Sequence, residues 1–285
     1  MNHSKEFLVE KMCKVFKISR SSYYIWLKRP ISKRELYQNK LLPVIQAIHQ
    51  KSKYSYGAPR ITRELKSMGY SICEKTVAKL MRKHGIRSKL KKKFKITTDS
   101  KHHHKVADNL LNRKFKTDRK SKVWVSDITY IKTIRGWSYL TVIIDLYDRK
   151  GIGWSVNKSL HTNQTILPAW KMAITNRPIK QPLIFHSDRG VQYACDEFKK
   201  VLKNPLIKQS MSRKANCWDN AVAESFFKTL KTECIYDHRF ENIEQVKLIV
   251  FEYIETWYNT NRRHSALNNR TTNEFEKLNQ IKLAA

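Results

Sequence analysis

A carboxylate inside a strand-forming run is the feature of this chain that most restricts its fold. Residues 123–131 read Val-Trp-Val-Ser-Asp-Ile-Thr-Tyr-Ile, a β-branched and aromatic run that is typical of a buried strand, with Asp127 at its centre. Burying a carboxylate costs free energy unless a cation or a metal compensates its charge. The run therefore predicts a core strand that carries a functional site.

Two further carboxylates occupy positions that suit the same site. Asp188 ends an apolar run that begins at residue 183, and Gly190 signals a turn, so Asp188 is predicted at the exit of a strand. Glu224 follows Asp219 and Asn220, which can cap a helix that begins near residue 221. Glu224 is then predicted in the first turn of that helix.

These carboxylates would repel one another without a cation, and at least one would hold a proton. Two Mg²⁺ ions about 3.5 to 4 Å apart remove that conflict and stabilise the attacking and leaving oxygens of a displacement at phosphorus. Because Mg²⁺ takes one or two carboxylates per ion, three side chains suffice. We therefore predict Asp127, Asp188 and Glu224 as ligands of two Mg²⁺ ions, with Mn²⁺ as a substitute. Spacing alone leaves Asp145 and Asp148 as rivals of Asp127.

The charge of the chain indicates a polyanionic partner. Its 57 Lys and Arg residues against 24 Asp and Glu residues give a net charge of +33, and residues 1–120, with 32 basic and 8 acidic side chains, carry +24 of it. No apolar run approaches the ~18 residues of a membrane-spanning helix, so no membrane association is expected. Five cysteines without a Cys-x-x-Cys pair favour a reducing, cytoplasmic location.

Residues 1–87 are predicted to form a helical DNA-binding region. Short helices over residues 6–16 and from residue 20 fit either a helix-turn-helix or a simple packing pair. Later, a helix that starts near Pro59, a turn at Met68-Gly69 and a helix over residues 74–83 match the arrangement in which the second helix enters the major groove. The cations of that second helix could be merely solvated, but we predict them as DNA contacts: Lys75, Lys79, Arg82 and Lys83.

The rest of the chain divides into three parts. Residues 88–121 are predicted as a basic linker and residues 122–240 as a catalytic core, with strands at 123–133, 138–146, 151–157 and 183–186 and a helix at 163–175. Residues 241–285 are predicted as a C-terminal helix and basic tail that complete the core. Arg262 and Arg263 follow that helix, where its dipole favours cations anyway, and a DNA contact is an additional hypothesis.

Three side chains near the predicted carboxylates are secondary candidates. Lys228 and Lys231 share one helical face with Glu224, and we predict both as DNA contacts, although a salt bridge from Lys228 to Glu224 would explain Lys228 as well. His186 alternates with Asp188 along the strand. It is predicted as a packed or hydrogen-bonding histidine, with a role in orienting the metal ligands as the alternative.

The order Asp, Asp, 35 residues, Glu, with a Lys seven residues after the Glu, resembles the catalytic core of retroviral-type integrases and related transposases. In its individual motifs, the sequence from about residue 55 to the C-terminal tail is similar to the B subunit of transposases of the insertion-sequence-three family. The matching motifs are Trp-Val-Ser-Asp-Ile-Thr-Tyr at 124–130, Tyr-Leu-Thr-Val-Ile-Ile-Asp-Leu-Tyr-Asp-Arg at 139–149, His-Ser-Asp-Arg-Gly-Val-Gln-Tyr at 186–193, Asp-Asn-Ala-Val-Ala-Glu-Ser-Phe-Phe-Lys-Thr-Leu-Lys at 219–231 and Tyr-Asn-Thr-Asn-Arg-Arg-His-Ser-Ala-Leu at 258–267.

This resemblance implies an α/β fold of the ribonuclease H type, a mixed five-stranded sheet flanked by helices, behind an all-α helix-turn-helix region. It implies a DNA transposase that cleaves at the ends of an insertion sequence and transfers the 3′-hydroxyl into target DNA. The implied partners are terminal-repeat and target DNA, an upstream A protein, and further copies of the chain. The alternatives are a DNA-binding regulator with an inactive core and a ribonuclease H-type nuclease.

Overall fold

The computed structural model of the chain describes residues 6–89, 104, 106–214 and 216–284. Residues 1–47 and 48–285 form two compact units. Part of the predicted basic linker, residues 90–103 and 105, lies outside the described residues.

The first unit is helical, as the sequence predicts. It contains α1 (Val9–Val15), α2 (Arg20–Leu27) and the beginning of α3 (Lys33–Lys51). The hydroxyl of Ser19 accepts a hydrogen bond from the backbone N–H of Ser22 at 3.0 Å and so caps α2.

The second unit begins with a helical hairpin of α4 (Ala58–Ser67) and α5 (Glu74–Lys83). Pro59 stands in the first turn of α4, and Gly69 ends the helix at a φ of +90°. The hairpin packs through apolar side chains that are buried on both helices: Ile61, Leu65, Val77, Leu80 and Met81. The four cations predicted to contact DNA are all exposed on α5.

A five-stranded mixed sheet forms the centre of this unit. Its strands are β1 (Val123–Thr133), β2 (Gly136–Asp145), β3 (Gly151–Asn157), β4 (Leu183–Ser187) and β5 (Ile207–Met211), and their order is β3-β2-β1-β4-β5. The first three strands are antiparallel, whereas β4 and β5 run parallel to β1. The predicted α/β class and mixed five-stranded sheet are confirmed.

Helices flank the sheet. α6 (Ile166–Asn176), α7 (Val191–Ala194) and α8 (Asp196–Val201) share one buried apolar cluster with the strands, in which Trp124 and Trp170 meet edge to face at 5.6 Å. α9 (Ala221–Glu233) packs on β1, and α10 (Ile243–Phe251) packs on β3 and continues as a π-helical stretch, Glu252–Tyr258. α11 (Thr272–Ala284) follows.

None of the helices in the described part of the chain is both long and apolar enough to cross a membrane.

Candidate active site

The ends of two neighbouring strands bring Asp127 and Asp188 together. β1 and β4 are parallel, and Val125 of β1 is paired with His186 of β4. Asp127 and Asp188 each lie two residues beyond that pair, so both carboxylates occur at the same level of the sheet and on the same side of their strands. This matches the placement predicted for them, in a core strand and at the exit of a later strand.

The first turn of α9 brings Glu224 to the same place. The side-chain amide of Asn220 donates a hydrogen bond of 3.0 Å to the carbonyl oxygen of Ser126, the residue before Asp127. This bond fixes the start of α9 against β1. Glu224 follows one turn later. Its side chain is half-buried, and so is that of Asp127.

The pKa values of Asp127 and Glu224 are raised, in part because the carboxyls lie close together. Burial raises the pKa of Asp127 well above its ordinary value, and the charges of Asp188 and Glu224 raise it further, against a hydrogen bond from the N–H of Ile128. Burial and Asp188 likewise raise the pKa of Glu224, while Lys228 opposes them. The three carboxyls therefore form one electrostatically coupled group.

The donor chemistry of this group fits a divalent cation. Oxygen ligands that repel one another are what a hard cation relieves. Within the described residues, no three His, Cys, Asp or Glu side chains are already arranged as a closed set of metal ligands. Asp188 is near enough to raise the pKa of both Asp127 and Glu224.

Groups beneath the carboxylates hold them in position. The hydroxyls of Ser126 and Tyr193, both buried, lie 2.9 Å apart, and the pKa of Tyr193 is raised by burial and then by Asp127 and Asp188. The N–H of Gly190 donates to Oδ1 of Asp188 at 2.9 Å. A Cβ at position 190 would lie 3.1 Å from that oxygen, so a side chain there would crowd the carboxylate.

His186 is fully buried between two serines. Its Nδ1 lies 2.9 Å from Oγ of Ser210, and its Nε2 lies 3.3 Å from Oγ of Ser212. Burial lowers its pKa to about 4, so the ring is neutral at physiological pH. These contacts match the hydrogen-bonding histidine of the sequence prediction, and they connect β4 to β5 and the residues after it.

The rival carboxylates Asp145 and Asp148 serve a different purpose. Both are fully buried, and each pairs with the Arg177 guanidinium. Asp145 also accepts the backbone N–H of Ser121 at 2.8 Å. Both carboxylates are therefore held by contacts inside the fold, which favours Asp127 as the strand carboxylate of the site.

The two lysines of α9 differ in their environment. Lys228 is exposed, and Lys231 is half-buried. Burial lowers the pKa of Lys231, while the charge of Asp127 acts in the opposite direction, so the Lys231 amine lies within electrostatic reach of the carboxylate group. Both cations therefore border the site.

Arg262 and Arg263, by contrast, point into the protein, with side chains that are 5% and 3% exposed. Arg262 holds the Glu233 carboxylate through Nε at 3.0 and 2.9 Å and Nη2 at 2.8 Å. Arg263 holds Glu64 of α4 at 2.7 Å and Glu274 of α11 at 2.8 Å. Because both guanidinium groups are occupied by buried or half-buried carboxylates, their position does not support the hypothesis of a DNA contact.

Asp219 has a role that sequence reasoning missed. α9 begins at Ala221 as predicted, but neither Asp219 nor Asn220 caps it through a side chain. Asp219 is instead fully buried and accepts hydrogen bonds from Arg213 (backbone N–H, 3.0 Å), Arg113 (Nε, 2.9 Å) and Asn109 (2.8 Å). The hydrogen bond from the Arg213 side chain is the main reason that the pKa of Asp219 lies far below its ordinary range. This network fixes the turn before α9.

The matches to protein families agree with this architecture. A model described as integrase core domain matches residues 117–217, a second model of that description matches residues 206–271, and an HTH-like domain matches residues 37–94. The fold and the site thus define an integrase-core enzyme, a polynucleotidyl transferase.

Relatives of known sequence narrow this class. The chain is 40% identical over 279 residues to the transposase InsF for insertion sequence IS3A of Escherichia coli (strain K12), with 97% of this chain and 96% of the relative covered. It is 38% identical over 271 residues to the insertion element IS600 uncharacterized 31 kDa protein of Shigella sonnei, with 95% and 99% covered. The chain belongs to the insertion-sequence-three family of transposases, and the resemblance seen in its sequence is confirmed.

Similarity to solved structures is more distant. The HTLV-2 integrase catalytic core domain in complex with magnesium, in its trimeric form, is 18% identical and overlaps with a TM-score of 0.40, covering 54% of this chain and 95% of that one. That likeness is too remote to bear on function.

Proposed function

We propose that Asp127, Asp188 and Glu224 hold two divalent metal ions and catalyse the cleavage and strand transfer of DNA during transposition. The observation that carries this proposal is the electrostatic coupling of the three carboxyls where β1, β4 and α9 meet. Hydrolysis at the element's end frees a 3′-hydroxyl, which then attacks a phosphodiester of target DNA.

The chain's own contribution is the rigid placement of charge. Asp127 and Asp188 are carried by paired strands, and Asn220 fixes the helix of Glu224 to the main chain of β1. When bound, Mg²⁺ or Mn²⁺ supplies charge stabilisation for the attacking and leaving oxygens. Lys228 and Lys231 border the carboxylates and hold the DNA phosphates there by charge.

DNA binding by α5 rests on its exposed cations. Each phosphate that such a cation neutralises adds about −0.9 to the slope of log affinity against log salt. Phosphate contacts position a protein without reading sequence, and only a few side chains of one helix reach base edges. For this reason the proposal includes an upstream A protein, which adds end specificity, and several copies of the chain on DNA. A cytoplasmic location remains a prediction.

A strand-transfer assay with labelled element ends and Mg²⁺ or Mn²⁺ tests the assignment. Asp127→Asn, Asp188→Asn and Glu224→Gln should each abolish both cleaved and joined products while leaving DNA affinity largely intact. Glu197→Gln, a neutralised carboxylate at an exposed position of α8, should behave as the wild type. Activity retained in any of the three site variants would refute the assignment.

The same assay separates the two alternatives. A DNA-binding regulator with an inactive core would show no metal-dependent nicking by the wild-type protein. A ribonuclease H-type nuclease would cut an RNA–DNA hybrid in preference to an element end.

A further inference from the structure

An exposed indole stands on the turn that leads into the catalytic helix. Trp218 belongs to a short 3₁₀ stretch, Cys217–Asn220, directly before α9. Its side chain is 67% exposed. Single exposed apolar side chains are common on proteins, but the surroundings of Trp218 set it apart.

The turn that presents this indole is tightly held. Asp219 and Asn220, the next two residues, are buried at 0% and 3% exposure. The Asp219 network and the hydrogen bond from Asn220 to the carbonyl of Ser126 fix the backbone on the C-terminal side of Trp218. A rigid turn therefore projects a large aromatic ring into solvent, with no apolar burial gained in return.

The turn that carries this ring lies near the strand of Asp127. Asn220 contacts the main chain of the residue before Asp127, and two residues of chain span at most about 7 Å. With about 4 Å added for the asparagine side chain and 3.0 Å for its hydrogen bond, the Cα atom of Trp218 lies within about 14 Å of the strand that carries Asp127. When a DNA phosphate lies at the carboxylates, bases within a few nucleotides of it are therefore within reach of this turn.

Exposed cations lie on the same turn and on the residues that bind it. The side chains of Arg113 and Arg213 are 44% and 50% exposed even though both bind Asp219, and Lys214 is exposed. A positively charged surface that follows the backbone, combined with an aromatic side chain that stacks on a base, is the usual means by which proteins hold single-stranded or unpaired nucleotides.

We propose that Trp218 stacks on an unpaired base next to the scissile phosphate, so that this turn is a binding site for a nucleotide that has left the DNA duplex. The inference rests on the proposed function, because it requires DNA at the three carboxylates. Stacking on the ring offsets the loss of base stacking within the duplex and holds the strand end open at the site.

The test compares the full-length protein on paired and locally unpaired element ends. Cleavage rates are measured on a fully paired end and on a set of ends with one mismatch at each position flanking the cut. Trp218→Ala should slow cleavage of the paired end about 10- to 100-fold, the range that the loss of one base–aromatic stack allows. At least one mismatch should restore most of the rate, and Trp218→Phe should stay within about threefold of the wild type.

A matched control is available in the same unit. Trp137 is 53% exposed and is paired with Lys132, five residues along β1 from Asp127, which corresponds to about 17 Å. Trp137→Ala should cleave both kinds of end at the wild-type rate. Because the Trp218 ring is exposed, Trp218→Ala should melt within about 2 °C of the wild type.

Two results would overturn the inference. One is wild-type cleavage of paired ends by Trp218→Ala, and the other is a loss that no mismatch relieves. If the first result came with altered sedimentation, it would assign the indole to a contact between protein chains. Failure of the proposed function is distinguishable from both, because the wild-type protein would then cleave neither kind of end.

Discussion

Replacing Arg262 by Met should destabilise the protein strongly and leave its affinity for DNA intact. The Glu233 carboxylate is only 3% exposed, and three hydrogen bonds from Arg262 balance its charge, together with one from the hydroxyl of Tyr253 at 2.8 Å. Removing one partner of such a buried pair costs about 3 to 5 kcal/mol of the free energy of unfolding. For a domain of this size the melting temperature should fall by roughly 6 to 20 °C.

The pH dependence of this loss has a definite sign. Burial acts to raise the pKa of Glu233, but the Arg262 guanidinium and its hydrogen bonds hold that pKa below the ordinary value. The stabilisation by Glu233 is therefore present above the pKa of the unfolded chain and is lost as pH falls through the lower folded value. Without Arg262, burial keeps the carboxyl protonated more readily. The difference between wild type and variant should thus be largest near neutral pH and should shrink toward pH 4.

Thermal melts at several pH values, alongside titrations of labelled element-end DNA, check this reasoning. The double variant Glu233→Gln/Arg262→Met should recover at least half of the lost stability, because no unpaired charge remains and the amide oxygen still accepts from Tyr253. Arg239→Met, at an exposed position, serves as the control. A wild-type melting temperature with weakened DNA binding would show instead that Arg262 contacts DNA.

Three further predictions concern the site and the residues that support it. Asp127→Asn should raise the melting temperature at neutral pH in EDTA, because the raised pKa of Asp127 means that its ionised form destabilises the fold. This increase in melting temperature should vanish below about pH 4, and added Mg²⁺ should stabilise only the wild type. Gly153→Ala should lower the free energy of unfolding in urea by about 3 kcal/mol, since the new Cβ would lie 2.1 Å from the carbonyl oxygen of Ala169, and an unchanged midpoint would contradict the packing of α6 on β3. Lys231→Ala should weaken binding to element-end DNA and reduce the salt slope by about 1; a sharp fall in melting temperature with unchanged affinity would make it a purely structural cation.

Local sequence patterns predict much of the sheet and the positions of the carboxylates. The strand predicted over residues 123–133 has the same ends as β1, and Gly136, at a φ of +125°, forms the predicted turn to the antiparallel β2. Asp188 follows the last residue of its apolar strand, and Glu224 lies in the first turn of a helix that begins where Asn220 ends. In each case the deciding information lies within a few residues of the chain.

Other elements depend on partners that are distant in sequence. β5 (Ile207–Met211) reads Ile-Lys-Gln-Ser-Met, without a continuous apolar run, and becomes a strand through parallel pairing with β4. Arg177, which binds the alternative candidate Asp145, is 32 residues away from it in the sequence. Glu233, whose carboxylate binds the Arg262 guanidinium, is 29 residues away from Arg262 in the sequence. No local sequence pattern predicts such ion pairs. The residues next to a cation at the end of a helix therefore do not show whether it contacts DNA or lies in the protein interior.

The contact between Glu64 and Arg263 also ties the order of synthesis to the order of assembly. These residues are separated by 199 positions, and Tyr56 adds a second link by accepting the backbone N–H of Arg263. At about 5 to 20 residues per second, a ribosome needs roughly 10 to 40 s after making α4 before Arg263 exists to bind it. The helical hairpin thus leaves the ribosome early but gains this anchorage only when the last part of the chain is made. A product that stops short of Arg263 would carry all three carboxylates and yet lack the clamp that holds its helical hairpin in place.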